Sequence, residues 1–205
     1  PLFQAHFDRS QPVLIRRAAL RGLAALDRSD LVPTFVEALA DADEGVRRAA
    51  AAGLATLGGP NELKPLFDRV NPEIEPNPDV RAEAVRSFNA LFLTAGLTVQ
   101  LTWLDAIHAA AAIDAGQWFL TLADETQKLL TDQPDRRRTL LQRQADVCLA
   151  LGQNRQAALY LTQLWSLTDP AADQAEALAV KLIRTWLAVG DIDQTVAALA
   201  TLAAD

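Results

Sequence analysis

The chain is poor in every residue type that does chemistry. It carries one cysteine, two histidines and no methionine in 205 residues. A lone thiol, Cys148, excludes an internal disulfide and a thiolate metal cluster, and its apolar neighbours Val147, Leu149 and Leu151 mark it as a small buried hydrophobe. Two histidines, His6 and His108, leave little material for a metal or nucleophilic site. No Gly-rich phosphate loop and no CxxC, CxxCH, HExxH or GxSxG motif occurs. No catalytic residue, no metal and no cofactor is therefore expected, and the chain reads as a non-enzyme. Basic residues are in deficit, 19 against 26 acidic ones, giving a net charge of −7 and a pI near 4.8. Phosphate backbones need a basic surface, so nucleic acid is not an expected partner. No run of 18 apolar residues exists, so no membrane insertion is expected. The missing methionine, and an opening "PLFQAHFD" that reads as the middle of a helix without a signal peptide, predict a fragment of a longer protein or a processed chain.

Alanine and leucine dominate what remains, and both favour helix. The stretch "DADEGVRRAAAAGLATLG" (41–58) shows how they are used. "IRRAALRGLAAL" (15–26), "VRRAAAAGLATL" (46–57) and "VRAEAVRSFNAL" (80–91) align at offsets of 31 and 34. Ile15, Val46 and Val80 stand in register, then Ala19, Ala50 and Ala84, then Leu23, Leu54 and Phe88, then Leu26, Leu57 and Leu91. These columns form one stripe of a 3.6-residue helix. Gly22 and Gly53 align with Ser87, a small position that predicts close approach of a neighbouring helix. Asp43 and Asn77 are expected N-caps, with Pro78 at the first helical position and Ser10 capping the first copy. Partner segments at 30–41 and 61–71 carry their own apolar stripes, so each unit is a helical hairpin. The acidic, Pro-rich "NPEIEPNPD" (71–79), with Glu73 and Glu75, reads as a solvated loop.

Residues 1–95 resemble the HEAT-repeat family through the Asp-x-x-Val-Arg opening of the second helix, seen as Asp43–Arg47, near Asn77–Arg81 and, more loosely, near Pro12–Arg16. The resemblance implies a polar ladder between stacked units, formed by Arg16, Arg47 and Arg81 with Asp43 as an acidic partner. A second set, Arg17, Arg21, Arg48 and Arg86, falls on the other face of the same helices. In such solenoids that face is concave, and these arginines are the candidate strip for an acidic segment of a protein or peptide partner.

After Gly96 the pattern changes. Gly116, Gly152 and Gly190 align at offsets of 36 and 38, each expected in a turn between helices. Ala145 and Ala157 flank Gly152 at small packing positions, where the third segment has Ile183 and Thr195, with Trp186 at the aromatic position. The first segment has Ala109 and Thr121, with Trp118 just after its turn. Residues 98–205 thus resemble tetratricopeptide (TPR) repeats. The lysine, asparagine and arginine clamp of TPR proteins that hold C-terminal carboxylates is not found. Four tryptophans, Trp103, Trp118, Trp165 and Trp186, are expected to pack between helices.

The expectation is an all-α, right-handed α-solenoid of antiparallel helical hairpins, HEAT-like over 1–97 and TPR-like over 98–205, continuous with each other. Its expected function is that of a non-catalytic scaffold for a protein or peptide. The alternative is an accessory repeat segment of a larger enzyme or redox protein, such as a bacterial multihaem c-type cytochrome. Sixteen arginines against three lysines point to a bacterial source, cytoplasmic or periplasmic.

Overall fold

The computed structural model describes residues 10–110 and 115–203. All regular structure among them is helical, with no strand. The helix expected around His6 and part of the turn before Gly116 lie outside the described residues. The chain divides into two compact units, Pro1–Asp114 and Ala115–Asp205.

The first unit contains α1 (Val13–Ala24), α2 (Val32–Ala38), α3 (Glu44–Leu57), α4 (Leu63–Asp68), α5 (Pro78–Thr94) and α6 (Leu97–Ala109). Capping sets two of the starts. Asp43 has extended backbone and its carboxylate accepts the Val46 N–H at 2.9 Å. Asn77 Oδ1 accepts the N–H groups of Asp79 and Val80 at 2.9 and 3.2 Å, ahead of Pro78. At α1 the expectation fails: Pro12, not Ser10, is the N-cap residue, and no side chain caps this end. Pro12 has already fixed its own φ for an extended entry, so the chain turns into helix one residue later.

The long helices α1, α3 and α5 pack side by side, α2 packs on α3, and α4 packs on α5. Val46, Ala50 and Leu54 of α3, and Val80, Ala84 and Phe88 of α5, are buried together. In α1 the outer columns depart from this, with Ile15 and Leu26 respectively 40% and 47% exposed. Among the described helices α1 ends the row, so only its α3 side has a neighbour to bury against. Gly53 shows how close the layers come: a Cβ there would lie 2.2 Å from Cε1 of Phe35 on α2. The equivalent Ser87 is buried, with its hydroxyl unpartnered. Trp103 of α6 packs on Phe67 and Phe88 with centroids 5.2 and 5.3 Å away, which places it in the first unit's core.

The second unit contains α7 (Gly116–Gln127), α8 (Pro134–Ala150), α9 (Asn154–Ser166), α10 (Ala175–Val189) and α11 (Ile192–Ala203), each packed on the next. Gly152 and Gly190 follow α8 and α10 with φ of +72° and +78°, a left-handed conformation that a Cβ disfavours. Gly116 differs from the expectation. It is the first residue of α7, has no left-handed backbone, and sits against the Leu151 side chain. Three hydrogen bonds join residues 36 apart: Gln153 to Gln117, Gln127 to Gln163, and Tyr160 to Asp124. All three keep the same offset of 36 residues, so α7 and α9 lie parallel and in register. Ala145 and Ala157 are fully buried where α8 meets α9. Trp186 is buried on α10 and its indole N–H donates to Thr162 Oγ1 at 3.3 Å. Cys148 is buried, and burial pushes its thiol up to about 11, so it is no nucleophile at neutral pH.

Candidate functional site: two faces of one row of arginines

Adjacent residues on a helix point about 100° apart, so the pairs Arg16–Arg17 and Arg47–Arg48 serve different faces. Arg16 and Arg47 face the turns. Arg16 grips Asp41 with both limbs, Nε to Oδ2 at 3.0 Å and NH2 to Oδ1 at 2.8 Å. Arg47 grips Glu75 in the same way, at 2.6 and 2.8 Å. The remaining limb of each arginine braces its own hairpin turn. Arg16 NH1 donates to the Gln11 carbonyl, Arg47 NH1 to those of Asp41 and Ala42, and Arg81 NH1 to those of Glu75 and Pro76. In Arg16 and Arg47 one guanidinium therefore holds its own turn and the acid of the next hairpin, whereas Arg81 braces its own turn and grips no acid among the described residues.

The acid of this arrangement is not Asp43. Its carboxylate is committed to the α3 N-terminus, while Asp41, two residues earlier, takes Arg16 and also the Asp43 N–H. Nor is Glu75 in a solvated loop: it is 0% exposed. Burial alone would raise its carboxyl, but the Arg47 bonds and the Asn77 N–H outweigh that and hold it below its ordinary value. The signal for both acids stood in the sequence, since Asp41 and Glu75 each lie six residues before a ladder arginine. What hid them was their difference in type and their position in turns.

Arg17, Arg21 and Arg48 occupy the other face. Together with Gly45, Ala49 and Glu83 they line a pocket of about 270 Å³ between α1 and α3. None of the three makes a hydrogen bond or ion pair with any described residue. Arg17 lies directly over Gly45, where a Cβ would come within 2.9 Å of its Cζ. Arg86, the fourth candidate, is not in the pocket lining. It is bound to Glu83 one turn back on α5 at 2.6 Å, which raises its own pKa and neutralises the one acid in the wall.

A larger groove of about 990 Å³ lies within the second unit, lined by Arg138 and Gln142 of α8 and by Leu178 and Lys181 of α10. Two of its cations are already committed. Arg138 binds Asp135 and the Leu167 carbonyl, and Lys181 pairs with Asp146. The described residues contain no group of three His, Cys, Asp or Glu side chains able to hold a metal. No described helix is long and apolar enough to cross a membrane.

The fold and the ladder define a protein of stacked helical repeats. Residues 1–89 match the family model for HEAT repeats, and that stretch of the chain is HEAT-like. No curated protein and no solved structure matched the chain.

Proposed function

We propose that the chain is a non-catalytic protein-interaction module, and that the face of α1 and α3 bearing Arg17, Arg21 and Arg48 binds an acidic segment of a protein partner. One observation carries the reading: three arginines from two helices line one pocket, none of them bonded to an acid among the described residues, and the only acid in the lining, Glu83, is already paired with Arg86, in a protein whose net charge is −7. Unpaired like charges repel, so their convergence is a standing cost that an anionic ligand relieves. HEAT-like repeats in general mediate protein–protein contacts, which fits this use. The chain carries 11 basic against 13 acidic residues in 1–98, and 8 against 13 in 99–205. The cationic site is thus local, suited to a short segment and not to a polyanion. In this reading the second unit is built of TPR-like hairpins, supported by the left-handed glycines 152 and 190 and by the three bonds that span 36 residues.

Fluorescence anisotropy with labelled hexaglutamate tests the reading. The wild-type chain should bind and release the peptide as salt rises, because exposed ion pairs are screened. The Arg17→Glu/Arg21→Glu/Arg48→Glu variant should lose binding. Equal binding by the two proteins would overturn the assignment of the face.

A further inference from the structure

We propose that the pocket between α1 and α3 receives one phosphoryl group carried on a partner's side chain, a phosphoserine or phosphothreonine. The inference rests on the reading of this face as protein-binding and narrows it. Size comes first. At about 270 Å³ the pocket is smaller than the roughly 300–1,000 Å³ sites that hold drug-sized molecules. It admits the end of a side chain, and not a nucleotide.

Charge stoichiometry comes next. A carboxylate has one charge and two oxygens, and a single guanidinium can satisfy it through a two-limbed pair. Arg16 with Asp41 and Arg47 with Glu75 show that match in this protein. The pocket holds three guanidiniums, so one carboxylate would leave two of them facing each other. A phosphoryl monoester carries about −1.5 to −2 charges at pH 7 and three terminal oxygens, and it can accept from all three arginines at once.

The walls complete the fit. Ala24, Ala49, Ala52, Gly45 and Gly53 keep side-chain bulk out, so the three arginines border a shallow floor. Gly45 is where Arg17 is seated. Arg86 keeps the Glu83 carboxylate occupied at the rim, so that the acid does not compete for the same arginines.

The test is NMR of the arginine Nε–Hε resonances in the labelled 205-residue chain, titrated with four probes. These are acetyl-Ala-phosphoSer-Ala-amide, acetyl-Ala-Glu-Ala-amide, hexaglutamate and inorganic phosphate. The phosphopeptide should shift Arg17, Arg21 and Arg48 together and saturably, about tenfold tighter than the Glu tripeptide, as expected for a multiply bonded, doubly charged group. Arg48→Gln should abolish most of that advantage. Gly45→Ala should weaken the phosphopeptide about threefold by unseating Arg17, at a surface position of little consequence for stability. Inorganic phosphate binding as tightly as the phosphopeptide would show a free-anion site and overturn the side-chain source. If hexaglutamate shifts the three arginines while the phosphopeptide binds no better than the Glu tripeptide, the phosphoryl proposal falls and the acidic-segment reading stands. If no probe shifts them, both fall.

Discussion

Successive hairpins are joined by different means in the two units. In the first, the joints are ionic and sheltered: the Arg16 side chain is 9% exposed and Asp41 2%, Arg47 12% and Glu75 0%. In the second, the bonds spanning 36 residues pair glutamine with glutamine, or a tyrosine hydroxyl with Asp124. An ionic joint between its hairpins, Lys181 with Asp146, is partly open to water, its side chains 33% and 49% exposed. A sheltered charge cannot lose its partner cheaply, because the survivor stays desolvated, whereas an exposed amide pair is readily replaced by water. The first unit therefore depends on a few specific residues, and the second spreads its stability over alanine and leucine packing.

That contrast breaks most visibly at a rung. Arg47→Ala leaves the fully buried Glu75 carboxylate with only the Asn77 N–H, and should cost about 3–5 kcal/mol. Gln163→Ala removes a rung of the second unit that lies at the surface, and should cost about 0.5 kcal/mol or less. Denaturant unfolding with hydrogen exchange as the readout separates the two, since exchange reports each unit by itself. Similar losses for both variants would show that the ionic joints are no stronger than the neutral ones.

Glycine sharpens the comparison at a smaller scale. Gly53→Ala drives a methyl into the Phe35 ring and should cost about 1–3 kcal/mol by overpacking. Gly152→Ala meets no atom within 4 Å, yet forces an alanine to φ of +72°, at about 1–2 kcal/mol. The mechanisms part in a double mutant. Shrinking Phe35 to Leu should recover part of the Gly53→Ala loss, whereas no neighbour of Gly152 can be trimmed to relieve backbone strain.

The response to pH should also differ in sign between the units. Glu75 has a folded pKa below its ordinary 4.5, so its contribution is full above that value and disappears as pH falls through the lowered one. Acid should therefore loosen the first unit. Cys148 and Tyr160 are shifted the other way by burial, the thiol from 9.0 to about 11. Their contribution is present below the ordinary values and is lost as pH rises from about 9, because only the unfolded chain can then ionise freely. Base should loosen the second unit. Hydrogen exchange at the two extremes, corrected for intrinsic rates, checks the crossing, and parallel loss in both units at either extreme would remove it.

The repeat columns were legible because burial in a stacked helix follows a 3.6-residue period that any alignment exposes. Caps were legible at Asp43 and Asn77 because a short polar side chain before a helix has one local use. The ladder's acids were harder to see. Glu75 sits in a Pro-rich acidic turn that looks solvated, and it becomes buried only when Arg47 of the preceding hairpin closes over it. Gly116 shares a column with Gly152 and Gly190 but not their backbone, since a left-handed φ is decided by the turn and not by the spacing. Arg86 belonged to the right face by period, and was drawn out of the group by Glu83, a pairing three residues away on its own helix.

The smallest expected effect is the one that separates structure from binding. Arg48 follows Arg47 directly, is exposed, and makes no bond to a described residue. Its removal exposes no buried acid and opens no cavity, so Arg48→Ala should change stability by about 0.5 kcal/mol or less, the ordinary range for a surface substitution. The loss is offset in part, because the change thins a cluster of like charges and places alanine in a helix. In the same protein it should weaken hexaglutamate binding by less than about tenfold, since each exposed ion pair is worth below about 1 kcal/mol. Arg47→Ala should do the reverse when assayed where it is still folded, changing stability greatly and leaving the pocket's three arginines in place. If Arg48→Ala unfolds as readily as Arg47→Ala, the two faces of the arginine row have been exchanged, and the pocket is a structural joint and not a binding site.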